Sequence, residues 1–288
     1  MITVRLIRQN SNRYIGVDAQ RQRYELIPSG KLRLETSPIV GDFVKILETS
    51  NRFVIEEVLE RKNQLQRPSI ANVDQAIIVM SATQPEFSTW LVDQLIFLIA
   101  AEKIKPALII TKMDLLENPE SLDEIIDDYR RSGYPVILQT KTADVQEVKQ
   151  LIKGNVSVLA GNSGVGKSTI LNRIDPTLNI STQEISFSLN RGKHTTTHIE
   201  LHEVAGGLIA DTPGFSTLDF SNLTMFDLAS TVPDFQLEQP CRFRNCIHDK
   251  EPGCAVKAAV KSGEVSKIRY DHYKLVLPLT KERYDVKE

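Results

Sequence analysis

Gly161-Asn162-Ser163-Gly164-Val165-Gly166-Lys167-Ser168 meets every fixed position of the pattern G-x-x-x-x-G-K-S. Val156-Ser157-Val158-Leu159-Ala160 before it is an apolar run of strand length, and Thr169-Ile170-Leu171-Asn172-Arg173 after it reads as helix. Strand, glycine-rich turn and helix in that order form a phosphate cradle and point to an α/β domain with a parallel sheet. Gly161, Gly164 and Gly166 let the backbone take conformations closed to other residues and turn N–H groups on one anion, while the helix N-terminus adds its positive dipole end. Lys167 then reaches the β- and γ-phosphates and the Ser168 hydroxyl holds Mg²⁺. Asn162, Ser163, Val165 and Thr169 complete the stretch around them.

Two further motifs bear on the base. Val204 to Ala210 form a partly apolar run that ends in Asp211-Thr212-Pro213-Gly214. This resembles the GTPase motif whose Asp supports Mg²⁺ through water and whose Gly amide senses the γ-phosphate; alone, it also reads as an ordinary turn. Strand-like Ala107-Leu108-Ile109-Ile110 runs into Thr111-Lys112-Met113-Asp114, which resembles the guanine-reading NKxD motif with Thr in place of Asn. A carboxylate at Asp114 accepts from guanine N1–H and the exocyclic amine together, whereas adenine offers an acceptor at N1 and leaves it unpaired. Gln139-Thr140-Lys141-Thr142 is the candidate base loop, with Thr140 and Lys141 facing the nucleotide. Jointly the motifs favour GTP and GDP over ATP.

The chain of 288 residues, 25% charged and 41% hydrophobic, has the composition of a soluble protein large enough for two or three domains. Its N-terminus lacks a signal-peptide pattern and no apolar run approaches a membrane span, so a cytoplasmic protein is expected. Residues 1–62 carry 11 Lys+Arg against 8 Asp+Glu, residues 63–233 carry 13 against 20, and residues 234–288 carry 11 against 9. Mildly basic flanks around an acidic centre fit flanks that meet phosphate backbones, and also fit ordinary surfaces.

Ile2–Ile7, Arg13–Val17, Tyr24–Ile27, Asp42–Leu47 and Phe53–Val58 read as short strands broken at Pro28-Ser29-Gly30 and Val40-Gly41-Asp42. Five strands in 62 residues match an OB-type barrel, a fold that commonly binds RNA. Arg5, Arg8, Arg13, Arg21, Arg23, Lys31, Arg33 and the rings of Tyr14 and Tyr24 are the candidate contacts; the alternative is a solvated face with aromatics turned to the core. All three cysteines fall in one pattern with a histidine, C-x4-C-x-H-x5-C, as Cys241, Cys246, His248 and Cys254. Three thiolates and an imidazole form a closed set for one structural Zn²⁺, with no position left for a catalytic water. An odd cysteine count argues against a disulfide framework. Arg242, Arg244, Lys250 and Lys257 surround the cluster and can present charge to RNA. His198, His202 and His272 show no partner and are expected to be structural.

The motif order is permuted. In ordinary GTPases the phosphate loop comes first, but here residues 111–114 and 139–142 precede 161–168. Domain termini commonly lie close together, so a chain can be rejoined there and opened elsewhere without loss of the sheet. This order, together with GNSGVGKS, Arg191-Gly192-Lys193-His194-Thr195-Thr196-Thr197, DTPGF at 211–215, Asn72-Val73-Asp74-Gln75 and the cysteine cluster, resembles the RsgA family of YjeQ and YloQ type over nearly the whole chain. The resemblance implies an OB-type RNA-binding barrel (1–62), a circularly permuted P-loop GTPase domain (63–222) and a zinc-binding, largely helical C-terminal domain (223–288). It also implies late maturation of the small (30S) ribosomal subunit, with 16S rRNA as partner and neither DNA nor membrane, by a monomer.

Phosphoryl transfer to water depends on what orients that water. Many GTPases carry Gln after the DxxG motif; here the position is Phe215, which neither donates nor accepts a hydrogen bond, so slow intrinsic hydrolysis is expected. His194 is the substitute in this chain, because an imidazole can orient or deprotonate water. Thr196 is the expected Mg²⁺-binding switch residue by resemblance to related GTPases, with Thr195 and Thr197 adjacent. Three readings stand at this point: a GTPase stimulated by the small subunit, an ATP-dependent enzyme on the same loop, and an RNA-binding adaptor in which nucleotide is structural.

Overall fold

A computed structural model of the chain describes residues 1–30, 32, 37–49, 52–66, 68–178, 180, 199–210 and 218–281. The strands are β1 (Ile2–Asn10), β2 (Arg13–Val17), β3 (Arg23–Pro28), β4 (Phe43–Thr49), β5 (Arg52–Val58), β6 (Gln64–Leu65), β7 (Ile70–Ala71), β8 (Gln75–Ser81), β9 (Lys105–Thr111), β10 (Val136–Leu138), β11 (Val156–Ala160), β12 (Ile199–Val204) and β13 (Gly207–Ala210). The helices are α1 (Thr89–Ala101), α2 (Asp123–Arg131), α3 (Gln146–Ile152), α4 (Lys167–Ile174), α5 (Met225–Thr231), α6 (Ala255–Ser262) and α7 (Lys267–Val276). They fall into two compact units, one of Met1–Ala76 with Asp144–Ser216 and one of Ile77–Ala143 with Thr217–Glu288.

In the first unit β1 to β5 close into an OB-like barrel. β1 pairs antiparallel with β2 and β4, β2 with β3, β3 parallel with β5, and β5 antiparallel with β4. Alternation does the sorting: Val4 and Leu6 of β1, Leu26 of β3, Val44 and Ile46 of β4 and Ile55 of β5 fill the interior. Tyr14 and Tyr24 join them, which corrects their candidacy as RNA-facing rings. Each has a use for its polar end inside: the Tyr14 hydroxyl donates to the Pro38 carbonyl at 3.0 Å and that of Tyr24 to Asp18 Oδ2 at 2.8 Å.

Past a register shift between Leu6 and Arg8 the end of β1 stays paired with β2 through Arg8, Gln9 and Asn10, while its other edge pairs Arg8 and Gln9 with Glu200 and Ile199 of β12. The strand order therefore continues from the barrel through β12 to β13 and β11. The run Val204 to Ala210, read as one stretch, is a hairpin: Val204 ends β12, Ala205 and Gly206 turn at positive φ, and β13 starts at Gly207. Asn72-Val73-Asp74-Gln75 is a clamp. Asn72 accepts from the Lys62 amide and donates to the Gly41 carbonyl, Asp74 exchanges two bonds with Val156, and Gln75 Nε2 donates to Leu151 O and Ser157 Oγ. The strand that leads into the phosphate loop is thus held by the segment that leaves the barrel.

Gly41 sits in that clamp at φ +91, and a Cβ there would lie 2.0 Å from the Ala71 carbonyl oxygen. Backbone cannot give way as a side-chain end can, so Gly41→Ala is expected to cost about 3 kcal/mol. Urea unfolding of the two proteins at equal slope checks this.

In the second unit β10, β9 and β8 lie side by side, β10 and β9 parallel. α1 is capped by Ser88, whose side chain accepts from the Leu91 amide, and is buried along Val92 to Ala100. α7 packs on it, with Phe97 and Tyr273 edge to face at 6.2 Å. Arg269 of α7 is 1% exposed and bonds Asp234 at 3.1 Å, Asp128 at 3.2 Å and Ser132 Oγ at 2.9 Å. Its guanidinium also stands over the rings of Tyr129 and Tyr134. Removing one partner of so buried a pair costs about 3–5 kcal/mol. His272, whose partner the sequence does not reveal, meets Asp93 Oδ2 at 2.6 Å, and Asp93 also accepts from the Tyr129 hydroxyl.

Candidate functional site

Within the first unit the segment 161–168 runs from β11 into α4. Gly161, Gly164 and Gly166 hold φ of 122, 78 and 99, all in the left-handed region that a side chain resists. Gly166 precedes the first turn of α4, so the free N–H groups of that turn cap the loop. Lys167 and Ser168 are buried at its start. The Lys167 ammonium folds over the loop and donates to the carbonyls of Gly161 at 2.7 Å and Asn162 at 2.5 Å. Burial pushes its pKa down to about 8. A cation over a glycine-rich loop at a helix N-terminus is an arrangement suited to receiving an anion.

Within the second unit the 111–114 and 139–142 segments come together. Thr111 ends β9 and its Oγ1 donates to the Met80 carbonyl at 3.2 Å; Lys112 takes φ 58 and reaches the Gln84 carbonyl. The turn places Asp114 at the surface, where Oδ1 accepts from the Lys141 amide at 3.1 Å. Met113 N donates to the Gln139 carbonyl at 3.2 Å and Gln139 N to that of Ile110 at 2.8 Å. Thr140 Oγ1 accepts from the Ala143 amide at 2.9 Å and closes the second loop on itself. An exposed carboxylate with its orientation set by a backbone donor is suited to reading paired N–H donors.

The Cys241, Cys246, His248 and Cys254 donor atoms all lie within 4.8 Å of one another. Cys241 Sγ and Cys254 Sγ are 3.8 Å apart, and His248 Nδ1 is 3.6 Å from the first and 3.4 Å from the second. A tetrahedral Zn²⁺ with ordinary bond lengths requires edges of about 3.8 Å between sulfurs and about 3.6 Å between sulfur and nitrogen. The residues fit the ion. His248 takes φ 60 to enter the set, and its ring also donates to the Ala229 carbonyl, the kind of outer partner that orients a ligating imidazole. Amides of Ala255, His248 and Lys257 point at Cys241, Cys246 and Cys254. Burial pushes Cys246 up to about 12 and raises Cys254, while at Cys241 amide donors from Val256 and Ala255 outweigh burial and lower it. Behind the loop Tyr270 and Tyr273 donate to the carbonyls of His248 and Ile247.

The family model described as RsgA GTPase matches residues 58–221, more than half of the chain. The chain belongs to the RsgA GTPase family. The small ribosomal subunit biogenesis GTPase RsgA of Bacillus subtilis is 47% identical over 255 residues, 86% of this chain and 85% of that one. Its counterpart in Staphylococcus carnosus is 43% identical over 282 residues, 95% of each. Two solved structures share the fold. One is YloQ, described as a circularly permuted GTPase, with TM-score 0.81 and 38% identity over 96% of this chain and 94% of that one. The other is YjeQ from Thermotoga maritima, with TM-score 0.82 and 32% identity over 96% and 97%. The permuted RsgA GTPase architecture with an OB-like barrel and a Cys3His group is therefore that of this chain.

Among the expected site residues, Lys167 and Ser168 meet the phosphate loop, Asp114 meets the 140–141 loop, and the four metal-ligand candidates converge. His194, Thr195, Thr196, Thr197, His198, Asp211, Gly214 and Phe215 lie outside the described residues, as do Lys31 and Arg33. Of the remaining basic barrel residues, Arg8 and Arg21 are paired with Glu200 and Glu203, and Arg13 and Arg23 are exposed. Sequence reasoning missed Asp42, fully buried and bonded by both carboxylate oxygens to Arg61 at 2.7 Å. The charged Asp42 within a predicted strand start was the available signal.

Proposed function

We propose that this chain is a GTP hydrolase that binds the small (30S) ribosomal subunit through 16S rRNA, acts in late maturation of that subunit, and is released on hydrolysis. The reading rests above all on the phosphate loop, with its three left-handed glycines and the Lys167 ammonium held over it, in a chain whose relatives are named small ribosomal subunit biogenesis GTPases. The protein acts in the cytoplasm as a monomer, with neither DNA nor membrane as partner. No helix among the described residues is long and apolar enough to cross a membrane. Its segments 1–62, 63–222 and 223–288 serve as RNA-binding barrel, GTPase domain and zinc-binding domain.

Gly161 to Thr169 surround the phosphates of GTP, and Lys167 leaves the Gly161 and Asn162 carbonyls to meet the β- and γ-oxygens. Ser168 and Thr196 would hold Mg²⁺, Asp211 would support it through water, and the Gly214 amide would sense the γ-phosphate. Mg²⁺ held there would supply charge neutralisation for phosphoryl transfer. Thr111 to Asp114, with Thr140 and Lys141, read guanine. His194 orients the attacking water in place of the usual Gln, since Phe215 has no polar atom on its ring. Cys241, Cys246, His248 and Cys254 hold one structural Zn²⁺, which shapes a loop whose exposed Arg242, Arg244 and Lys250 face RNA. Arg242 already stacks on exposed Phe243, the pairing of cation and ring that single-stranded bases accept.

Hydrolysis measured alone and with added 30S subunits, 50S subunits or 70S ribosomes tests the proposal. We expect slow basal turnover and on the order of 10-fold or more stimulation by 30S, as external contacts order the switch. Equal rates in all four mixtures would defeat it.

The Lys167 environment adds a pH dependence. In the free protein this lysine loses its proton near pH 8, whereas bound phosphates raise its pKa. Binding above pH 8 therefore takes up a proton, and GDP affinity should fall by up to about 10-fold per pH unit from pH 8 upward, with no such slope from pH 7 to 8. Calorimetry in buffers of differing ionisation enthalpy reads the proton directly.

A further inference from the structure

The outer face of the barrel and the β12–β13 hairpin, all within the first unit, bound a groove of about 500 Å³ lined by Arg5, Arg21 and Arg23, three of the candidate RNA contacts. The alternation that sends Val4 and Leu6 into the barrel turns Arg5 outward, where its guanidinium carbon lies 4.2 Å from the centre of the Phe43 ring. Arg5 Nε is sealed from solvent and has no hydrogen-bond partner among the described residues. Burial also holds the Arg5 pKa below its ordinary value, with Asp74 acting in the opposite direction. Partial burial of a charge without a bonded acceptor is costly, and an anion brought to the accessible edge of the guanidinium would offset part of that cost.

The surrounding charge says what kind of guest. Guanidinium groups of Arg5, Arg21 and Arg23 line the groove with the carboxylates of Asp18 and Glu203, a surplus of one positive charge. Both acids are engaged. Asp18 accepts from the amides of Gln20 and Gln22 and from the Tyr24 hydroxyl, and Glu203 faces Arg21 at 3.2 Å. Asp74 is paired with Lys62 at 2.6 Å. The other walls are apolar, with Val17 on the barrel side and Leu201 and Leu208 on the hairpin. A polyphosphate would set several negative charges against a surplus of one, and a neutral guest would leave Arg5 unpaired.

We propose that this groove binds a small monocarboxylate with a flat apolar body, its carboxylate on the free edge of the Arg5 guanidinium and its body against Phe43, Leu201 and Leu208. A planar guanidinium with one face on a ring keeps its N–H edge for a carboxylate, and the groove has the size of a small-molecule site. The hairpin wall lies in sequence between the 191–197 run and Asp211-Thr212-Pro213-Gly214, so the guest touches the segment that joins the two switch stretches.

The test titrates the full chain, methyl-labelled at leucine, with 3-phenylpropionate, 3-phenylpropionamide, inorganic pyrophosphate and the tripeptide Gly-Gly-Phe. Saturable shifts of Leu201 and Leu208 methyls by the acid, with the amide at least 10-fold weaker, are expected, as is a loss of at least 10-fold in Arg5→Met. The comparison of acid with amide needs no variant and stands even if Arg5→Met fails to fold. Equal affinity of acid and amide, no shift at these leucines at millimolar acid, tighter binding of pyrophosphate, or tighter binding of the tripeptide would each overturn the assignment.

Discussion

Lys167→Ala should lower single-turnover GTP hydrolysis by at least about 10³-fold while leaving the fold intact. Among the described residues the ammonium bonds only the Gly161 and Asn162 carbonyls of its own loop, so its removal strips no bond to another described element. What it removes is the cation that follows charge onto the β- and γ-oxygens as the bond breaks. Ser168→Ala should cost a similar factor by a different route, the loss of an oxygen on Mg²⁺, and raised Mg²⁺ should recover part of it. Raised Mg²⁺ should recover nothing in Lys167→Ala. Far-UV circular dichroism checks the fold and quenched-flow the rate; turnover at the wild-type level in either variant with Mg²⁺ limiting would remove the phosphate assignment.

Cys246→Ser should abolish stoichiometric zinc and unfold the 241–254 segment locally. One zinc per chain is expected in the wild type by elemental analysis. Apparent binding free energies for such four-ligand sets are about 10–16 kcal/mol at neutral pH, far above what the remaining contacts of this loop supply. Those contacts are a few bonds, chiefly Tyr270 to His248 and Tyr273 to Ile247, with the Phe235 ring 5.3 Å from that of His248. Hydrogen exchange should therefore rise steeply across 241–254 and spread to α6, whose N-cap is Cys254 itself. GTP binding should persist, because neither nucleotide segment shares a ligand with the cluster. Chain purified without chelator that holds no zinc, yet protects this segment, would refute the metal role.

The first result also separates a nucleotide hydrolase from the adaptor reading that sequence left open. An adaptor that uses nucleotide only as a structural element would tolerate Lys167→Ala in function as long as nucleotide stayed bound. A GTPase would not.

The phosphate loop, the base-reading segments and the cysteine cluster were legible in the chain because each is short and its chemistry forces residue types at fixed spacing. Gly161, Gly164 and Gly166 announce positive φ, which few other residues tolerate, and the structure holds all three there. Barrel strands were legible for a related reason: alternation with period two is local, and the five predicted runs fall on β1 to β5 within a few residues. The aromatic rings were not, since a tyrosine on a strand has two faces to choose from and only closure of the barrel turned Tyr14 and Tyr24 inward.

What required tertiary structure was every pairing between residues far apart in the chain. Nothing near Arg269 in sequence points to Asp128 or Asp234, nor does anything near His272 point to Asp93; burial of those charges together is a property of packed helices. The same holds for Asp114 with Lys141, and for the end of β1, which pairs with β2 on one edge and takes β12 on the other. Residue types and local periodicity determine which chemistry a segment can perform and which way its backbone runs. Which segments share a sheet, and so which charges find hydrogen-bond partners and which, like Arg5 Nε among the described residues, do not, is decided only when the chain closes on itself.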